Sequence, residues 1–596
     1  MSILTPEPWP AHDRRLAVRA GGLLADFNAA GVLEAPDVHV ATRVGALGGE
    51  DDERVLLAVA LAVRGIRAGS VCIDLTTVPA LADGLAWPDA EGWSAAMAAS
   101  PLVAAGVVRY EESLVYLDRY HRLETQVCDD LLDRVRAPAP PVDEAALAAA
   151  LDRVRGPHLS AEQEAAAVRA ARSSTTVLIG GPGTGKTTTV ARILVLLHDQ
   201  ARARGERLSV ALAAPTGKAA TRLQEAVVAE LARPDVDPAD RELVGRPDAL
   251  TLHRLLGWRP DNATRFRHDR ANRLKYDLVV VDECSMVELT MMGRLLEAVR
   301  PQSRLLLVGD QHQLTSVGAG AVLADVVRGF DGDPRSPVAS LVENHRSTED
   351  IKSLAEALRT GDPDHVVEVL RRGGPEVEFV ETTGVDDAAL ALRADTLTSA
   401  LAVRAAALAG DPQAAVDALD RHRLLCAHRE GPYGVRHWNR QVERWLAEHT
   451  GVPIYGEWYP GRPILITSND YALEVYNGET GAAVLGGEGR LRAWVSGSER
   501  LRDYAPGRLD AVETMHATTI HKSQGSQAER ITVLLPEESS RLLTRELFYT
   551  AVTRAQRHVR VVGSEAAVRA AVGQQAQRAS GLAGRLRAAL SDPTDT

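Results

Sequence analysis

The stretch Gly180-Gly181-Pro182-Gly183-Thr184-Gly185-Lys186-Thr187-Thr188 constrains this chain more than any other. It fits the pattern Gly, four residues, Gly-Lys-Thr, in which glycine backbone curls around phosphate oxygens. The residues ahead of it, Thr175-Thr176-Val177-Leu178-Ile179, are β-branched and apolar and predict a buried strand. The residues after it, from Thr189 to Leu197, have the length and apolar spacing of a helix packed on a sheet. Strand, loop and helix together place backbone amides and a helix N-terminus at one point, which suits a β/γ-phosphate. Lys186 is expected to neutralise phosphate oxygens, and Thr187 to offer its hydroxyl to Mg²⁺. A nucleoside triphosphate, ATP with Mg²⁺, is the expected ligand.

At 596 residues the chain is too long for one core, and several domains are expected. No run reaches the ~18 uninterrupted apolar residues of a membrane span. The first residues, Met1 to Pro8, lack the basic-then-apolar order of a secretion signal. Cys72, Cys128, Cys284 and Cys426 are too far apart in sequence to form a metal-ligand spacing. These features predict a cytoplasmic protein with free thiols and no membrane association. The net charge of −12 argues against a coating of basic surface but leaves room for a local basic groove. Only five lysines occur, and three of them, Lys186, Lys218 and Lys522, fall inside motif-like stretches. A compact ammonium at those places is not interchangeable with arginine.

Residues 1–136 carry helix-like periodicity and no recognisable chemistry, so a docking role is the default for them. The run Val71-Cys72-Ile73-Asp74-Leu75 after Gly69-Ser70 predicts a short strand. Ala137-Pro138-Ala139-Pro140-Pro141 opens a linker, placed at 137–145. From there strands and helices alternate, as in a parallel α/β domain. Ser160 is expected to cap a helix, and Gln163 on that helix carries an amide able to read an adenine edge. Thr216 and Lys218 lie in a polar turn after the strand-like Leu208–Ala214, suited to phosphodiester contacts. His253 stands in a second such element, Thr251 to Trp258.

Asp282 and Glu283 end the apolar run Leu278-Val279-Val280-Val281. There Asp282 is expected near Mg²⁺, and Glu283 is expected to orient and deprotonate the attacking water. A further strand, Arg304 to Gly309, runs into Asp310-Gln311-His312-Gln313, where Gln313 is placed to sense a γ-phosphate.

These motifs, in this order, resemble those of superfamily 1 helicases, and most of all the RecD family. The stretches involved are the phosphate loop, Ala-Pro-Thr-Gly-Lys-Ala-Ala, Thr-Leu-His-Arg-Leu-Leu-Gly, Asp-Glu-Cys-Ser-Met and Gly-Asp-Gln-His-Gln-Leu. Leu341 to Arg346 then resembles the fourth motif, whose arginine, Arg346 here, would reach the γ-phosphate across a cleft. Ser468-Asn469-Asp470 with Asn477-Gly478-Glu479 resembles a family signature. Thr518 to Gln527 resembles the fifth motif and offers Thr519 and His521 to DNA. Many relatives carry Glu where this chain has Gln527, a position expected at the nucleotide. Phe548 to Ala555 resembles the sixth motif, with Arg554 as second arginine finger. Gly69 to Leu75 and Leu114 to Glu124 are similar to segments of the RecD subunit of RecBCD-type enzymes, and the overall length also suits that subunit.

The resemblance implies an α/β fold with two RecA-like P-loop NTPase domains, at 146–345 and 346–570. A small SH3-like β-barrel insertion around 480–512, a mainly helical N-terminal domain at 1–136 and a C-terminal helix and tail at 571–596 complete it. It further implies an ATP-driven 5′–3′ motor on single-stranded DNA, acting in double-strand break repair and recombination. RecB-like and RecC-like partners would form a heterotrimer (exodeoxyribonuclease V), with the nuclease site on the partner. The competing expectations are a free-standing RecD-like helicase, a structural subunit with a vestigial ATPase, and a small-molecule kinase.

Overall fold

The computed structural model describes residues 13, 15–155, 159–259, 262–316, 318–343, 349–470, 472–497, 500–576 and 578–591. Three sheets organise the chain beyond its N-terminal region. The first is six-stranded and wholly parallel, in the order Val338–Leu341, Thr175–Gly180, Arg304–Gly309, Leu278–Val281, Val210–Ala214, Ala249–Thr251. Its central strands are buried on both faces, which is why they read as continuous apolar runs rather than alternating ones. The strand that feeds the phosphate loop lies between strands that come later in the chain, so its C-terminal end opens into the crevice where such sheets take ligands.

The second sheet is five-stranded and also parallel, in the order Val377–Glu381, Ala555–Gly563, Ala528–Leu534, His422–Cys426, Ala517–Thr519. The third is five-stranded and antiparallel, with Leu501–Tyr504, Leu491–Ser496, Thr480–Leu485, Pro463–Ile466 and Val512–Thr514 side by side. It begins earlier and ends later than the 480–512 expected for the insertion. Pro463–Ile466 sits inside this sheet and pairs with both Thr480–Leu485 and Val512–Thr514, a non-local pairing that local patterning does not encode.

The N-terminal region is mainly helical, as expected, and adds a small antiparallel sheet. Ile73–Asp74 pairs with Leu114–Leu117, which pairs with Val108–Glu111. Its long helix Asp118–Arg136 packs on Leu289–Ala298 of the first parallel layer, with Leu123, Val127 and Leu131 in a shared core. The chain's last helix, Leu582–Ser591, returns to that core through Leu582, Leu586 and Leu590. Glu124, fully buried, fastens the return: it accepts from Tyr116 Oη, Ser580 Oγ, the Gly581 N–H and Arg585 Nε at 2.8–3.1 Å. The four cysteines are buried and free. Among the described residues no helix is long and apolar enough to cross a membrane.

Candidate active site and nucleic-acid interface

The phosphate loop takes its shape from two glycines with φ of +83° (Gly183) and +81° (Gly185). A Cβ on Gly185 would stand 2.1 Å from Nε2 of Gln163, so backbone conformation and close packing both demand glycine there. Lys186 Nζ donates to the carbonyls of Gly180 at 2.7 Å and Gly181 at 2.9 Å, which holds the ammonium over the loop. Ser160 caps its helix, and Gln163 completes a reciprocal capping box. The Gln163 amide, only 2 % exposed, also donates to the Thr184 carbonyl at 3.1 Å. The structure therefore shows Gln163 buttressing the loop rather than displaying its amide to a base.

A cavity of about 580 Å³ opens in front of the loop. Lys186, Thr187 and Thr188 line it from the first sheet's side, together with Pro182, Gly183, Asp282, Glu283 and Gln313, and Gln527 and Arg554 line it from the second. The Asp282 N–H donates to Ala213 O at 2.9 Å, fixing the residue just past the C-terminal end of its strand. Burial first, then the charge of Glu283, pushes the Asp282 carboxyl up to about 6. Glu283 has φ of +52°, an uncommon backbone conformation for a residue with a side chain, and its N–H donates to Asp282 Oδ1 at 2.8 Å. Two carboxyls crowded this way, with the Thr187 hydroxyl on the same cavity, form a donor set suited to a hard divalent cation.

The two parallel sheets meet in one buried network. Arg554 Nη2 donates to Gln313 Oε1 at 2.7 Å, and Gln313 Nε2 donates to Asp310 Oδ2 at 3.0 Å. Tyr549 Oη donates to the same Asp310 oxygen at 3.1 Å. Leu314 N–H donates to Thr550 Oγ1 at 2.7 Å, and Gln524 Nε2 donates to Leu314 O at 2.6 Å. Burial, with the Asp310 carboxylate beside it, raises the Tyr549 hydroxyl well above its ordinary value, so it stays a donor. Gln527 Oε1 accepts from Arg222 Nη2 and, at 3.4 Å, from Gln556 Nε2.

Arg346 lies outside the described residues. The residues expected at DNA fall into two groups. Thr216 accepts from the Ala219 N–H at 3.2 Å and caps the helix Gly217–Leu231. Lys218 Nζ donates to Thr480 Oγ1 at 3.4 Å, and a Cβ on Gly217 would lie 3.2 Å from Tyr476 Cβ. The guanidinium of Arg254 lies 5.8 Å from the Tyr476 ring centroid. The antiparallel sheet is therefore docked on the turn expected to hold phosphates. Burial, then Arg423, lowers the Lys218 ammonium to about 7, and burial raises the Glu479 carboxyl to about 7. Thr519 Oγ1 accepts from the Lys522 N–H at 3.2 Å, and burial lowers the His521 imidazole. His253 is exposed, with its ring 5.8 Å from that of Phe266.

Sequence reasoning did not single out Asp310, Tyr549 or Arg222. The first two lie inside motifs that were recognised, but their bond to each other spans the seam between sheets and has no local signal.

A phosphate loop facing an arginine from a second parallel sheet, with a strand-end Asp-Glu pair between them, defines the P-loop nucleoside triphosphatases built on two such sheets. Three family models match in line with this: AAA domain at residues 163–319, UvrD-like helicase C-terminal domain at 514–562, and RecBCD enzyme subunit RecD, N-terminal domain at 29–116. The RecBCD enzyme subunit RecD of Mycobacterium tuberculosis (strain CDC 1551 / Oshkosh) is 56% identical over 582 residues, covering 96% of this chain and 98% of that one. The RecBCD enzyme subunit RecD of Mycolicibacterium smegmatis is 55% identical over 563 residues, covering 94% and 98%. The ATP-dependent RecD2 DNA helicase of Deinococcus radiodurans is 33% identical over 495 residues, covering 82% of this chain and 61% of that one. The chain belongs to the RecD family.

Proposed function

We propose that this chain is the RecD motor of a RecBCD-type helicase–nuclease: an ATP-dependent DNA helicase subunit that moves 5′ to 3′ along single-stranded DNA. One observation carries the catalytic part of the reading. A single cavity gathers Lys186, Thr187, Asp282, Glu283 and Gln313 from one parallel sheet and Arg554 from the other. Lys186 and Arg554 oppose charge developing on the transferred phosphoryl, and Glu283 orients the attacking water and takes its proton. Arg346, by its motif, serves beside Arg554. Asp282 and Thr187 are the residues that would hold Mg²⁺, which neutralises phosphate charge when bound. Gly180, Gly181, Thr184 and Thr188 complete the cradle. Gln163 would reach an adenine only by exchanging its bond to Thr184 O.

The partition into an N-terminal docking domain, two RecA-like domains and a small SH3-like barrel built on the antiparallel sheet belongs to the same reading. Thr216, Lys218, His253, Thr519 and His521 are its strand-binding residues. RecB-like and RecC-like subunits are its partners, in keeping with relatives named as RecBCD subunits over 98% of their length. The site of action is the cytoplasm, and the 5′ tail of a broken duplex is the substrate. The 5′–3′ polarity rests on the resemblance of the motifs.

The test is size-exclusion chromatography with an ATPase assay, on the chain alone and co-expressed with RecB and RecC homologues, with and without oligo(dT). Co-elution and DNA-stimulated turnover that collapses on Lys186→Gln is the expected result. A fully active lone chain that ignores both partners would instead identify a free-standing helicase.

A further inference from the structure

We infer that the outer face of the helix Val435–Thr450 is a phosphate-binding track that extends the strand path beyond Thr519 and His521 on the second parallel sheet. The inference rests on the single-strand reading above. The helix is anchored by Trp438, Val442, Trp445 and Leu446, all buried, so its opposite face is held rigidly outward. That face carries Arg436, Arg440 and Arg444, all exposed. Residues four apart lie on one side of a helix, with about 6 Å of rise between them. Together with His437 they line a recess of about 230 Å³.

Of the neighbouring acids, Glu430 lines the same recess and neutralises Arg436, while Glu448 and Glu443 are engaged elsewhere. Glu430 pairs with Arg436 at 2.8 Å, Glu448 pairs with Arg393 at 3.1 Å, and Glu443 accepts from Tyr459 Oη at 3.1 Å. Arg440 and Arg444 are left without an ion pair among the described residues, in a chain whose net charge is −12. The local field is correspondingly positive: after burial, Arg444 and Arg440 are what lower the His437 imidazole.

Continuity with the strand path decides what the track takes. The Arg436 N–H donates to Arg429 O at 3.1 Å. The Arg429 guanidinium pairs with Glu513, which also holds Lys522 Nζ at 2.8 Å. Lys522 directly follows His521. Basic side chains thus run from the fifth-motif segment onto the helix, with Glu513 and Glu430 among them, and end on the unpaired Arg440 and Arg444. Guanidinium groups at regular intervals suit a chain of phosphates, which they can grip in bidentate fashion without reading bases.

The test compares the parent full-length chain with Arg440→Gln/Arg444→Gln and Arg440→Lys/Arg444→Lys, titrating labelled oligo(dT) at several salt concentrations. Each phosphate contact on a single strand contributes about 0.7 to the slope of log K against log[salt]. The glutamine variant is expected to lose about 1.4 of that slope and to bind roughly tenfold more weakly at ~0.1 M salt. The lysine variant should keep the slope, and both should keep the parent's melting temperature and DNA-free ATPase. Unchanged binding and slope in the glutamine variant overturns the track. Unchanged DNA binding with lost co-elution of RecB or RecC homologues also overturns it, in favour of an acidic protein surface. A parent chain that binds no oligo(dT) overturns the single-strand reading itself and the track with it.

Discussion

Arg554 reaches out of the second parallel sheet and places Nη2 2.7 Å from Oε1 of Gln313 on the first. Both side chains are buried, and Gln313's other amide atom is spent on Asp310 at 3.0 Å. Both ends of the Gln313 amide are therefore engaged, one of them across the seam between the two sheets. On the proposed reading, a shift of Arg554 toward phosphate would release Gln313 and so couple hydrolysis to the relation between the two sheets.

Replacing Arg554 with Ala removes the charge facing the phosphoryl group and is expected to lower kcat roughly 10³-fold, the low end for an arginine finger. Nucleotide binding should fall far less. Steady-state ATPase on oligo(dT), with binding of a fluorescent ADP analogue measured separately, checks the split.

Tyr549→Phe deletes one donor from Asp310 and keeps the ring packed. Asp310 Oδ1 still accepts from the His312 N–H at 3.0 Å, so the loop should stay in place. The expected result is a several-fold loss of kcat with KM for ATP unchanged and a stability loss of about 1.5–3 kcal/mol, appropriate to a bond to a charged acceptor. Denaturant melts and ATPase kinetics on the same preparation decide it.

Gly185→Ala meets both a left-handed backbone position and the Gln163 amide. Nucleotide binding should be lost. Gln163→Ala in the same chain removes the clash but not the backbone strain, so binding should recover only in part. Isothermal titration with ATP and Mg²⁺ reads both variants.

Lys218 and its seam give a pH signature. Its ammonium, lowered from 10.5 to about 7 by burial and Arg423, binds its proton more weakly folded than unfolded. Stability from this group is therefore present above pH ~10.5 and lost as pH falls towards 7. Lys218→Met should melt higher than the parent at pH 7, with the difference shrinking as pH rises towards 10, while oligo(dT) binding weakens. Glu479, raised to about 7, works in the opposite direction: its contribution is present below pH ~4.5 and lost as pH rises to 7. Glu479→Gln should flatten that second limb. Thermal melts across pH check both signs.

Glu124→Ala removes three bonds from the returning C-terminal segment and one from Tyr116, and leaves Glu111 as the remaining carboxylate partner of the Arg585 guanidinium. Losing a hydrogen bond to a charged group costs about 1.5–3 kcal/mol, and several are lost together here. Hydrogen exchange should show loss of protection concentrated in Leu582–Ser591 and in Leu114–Leu117, ahead of either parallel sheet.

What the sequence determined by itself is everything carried by short-range chemistry. The phosphate loop is legible because strand, glycines, lysine and helix are consecutive, and backbone geometry over nine residues needs those residue types in that order. Asp282 and Glu283 are legible because a buried parallel strand must be apolar and its end must not be. The Ser160 cap is legible because it follows from the residues at its own helix start. Tertiary structure alone decided the rest. It set Tyr549 against Asp310 and Arg554 against Gln313, 239 and 241 residues apart in sequence. It placed Pro463–Ile466 within the antiparallel sheet, docked that sheet on Lys218 and Gly217, and returned the last helix to the first core. Those contacts depend on which surfaces meet once separate cores have formed, and that is a matter of packing between elements rather than of the periodicity within any one of them.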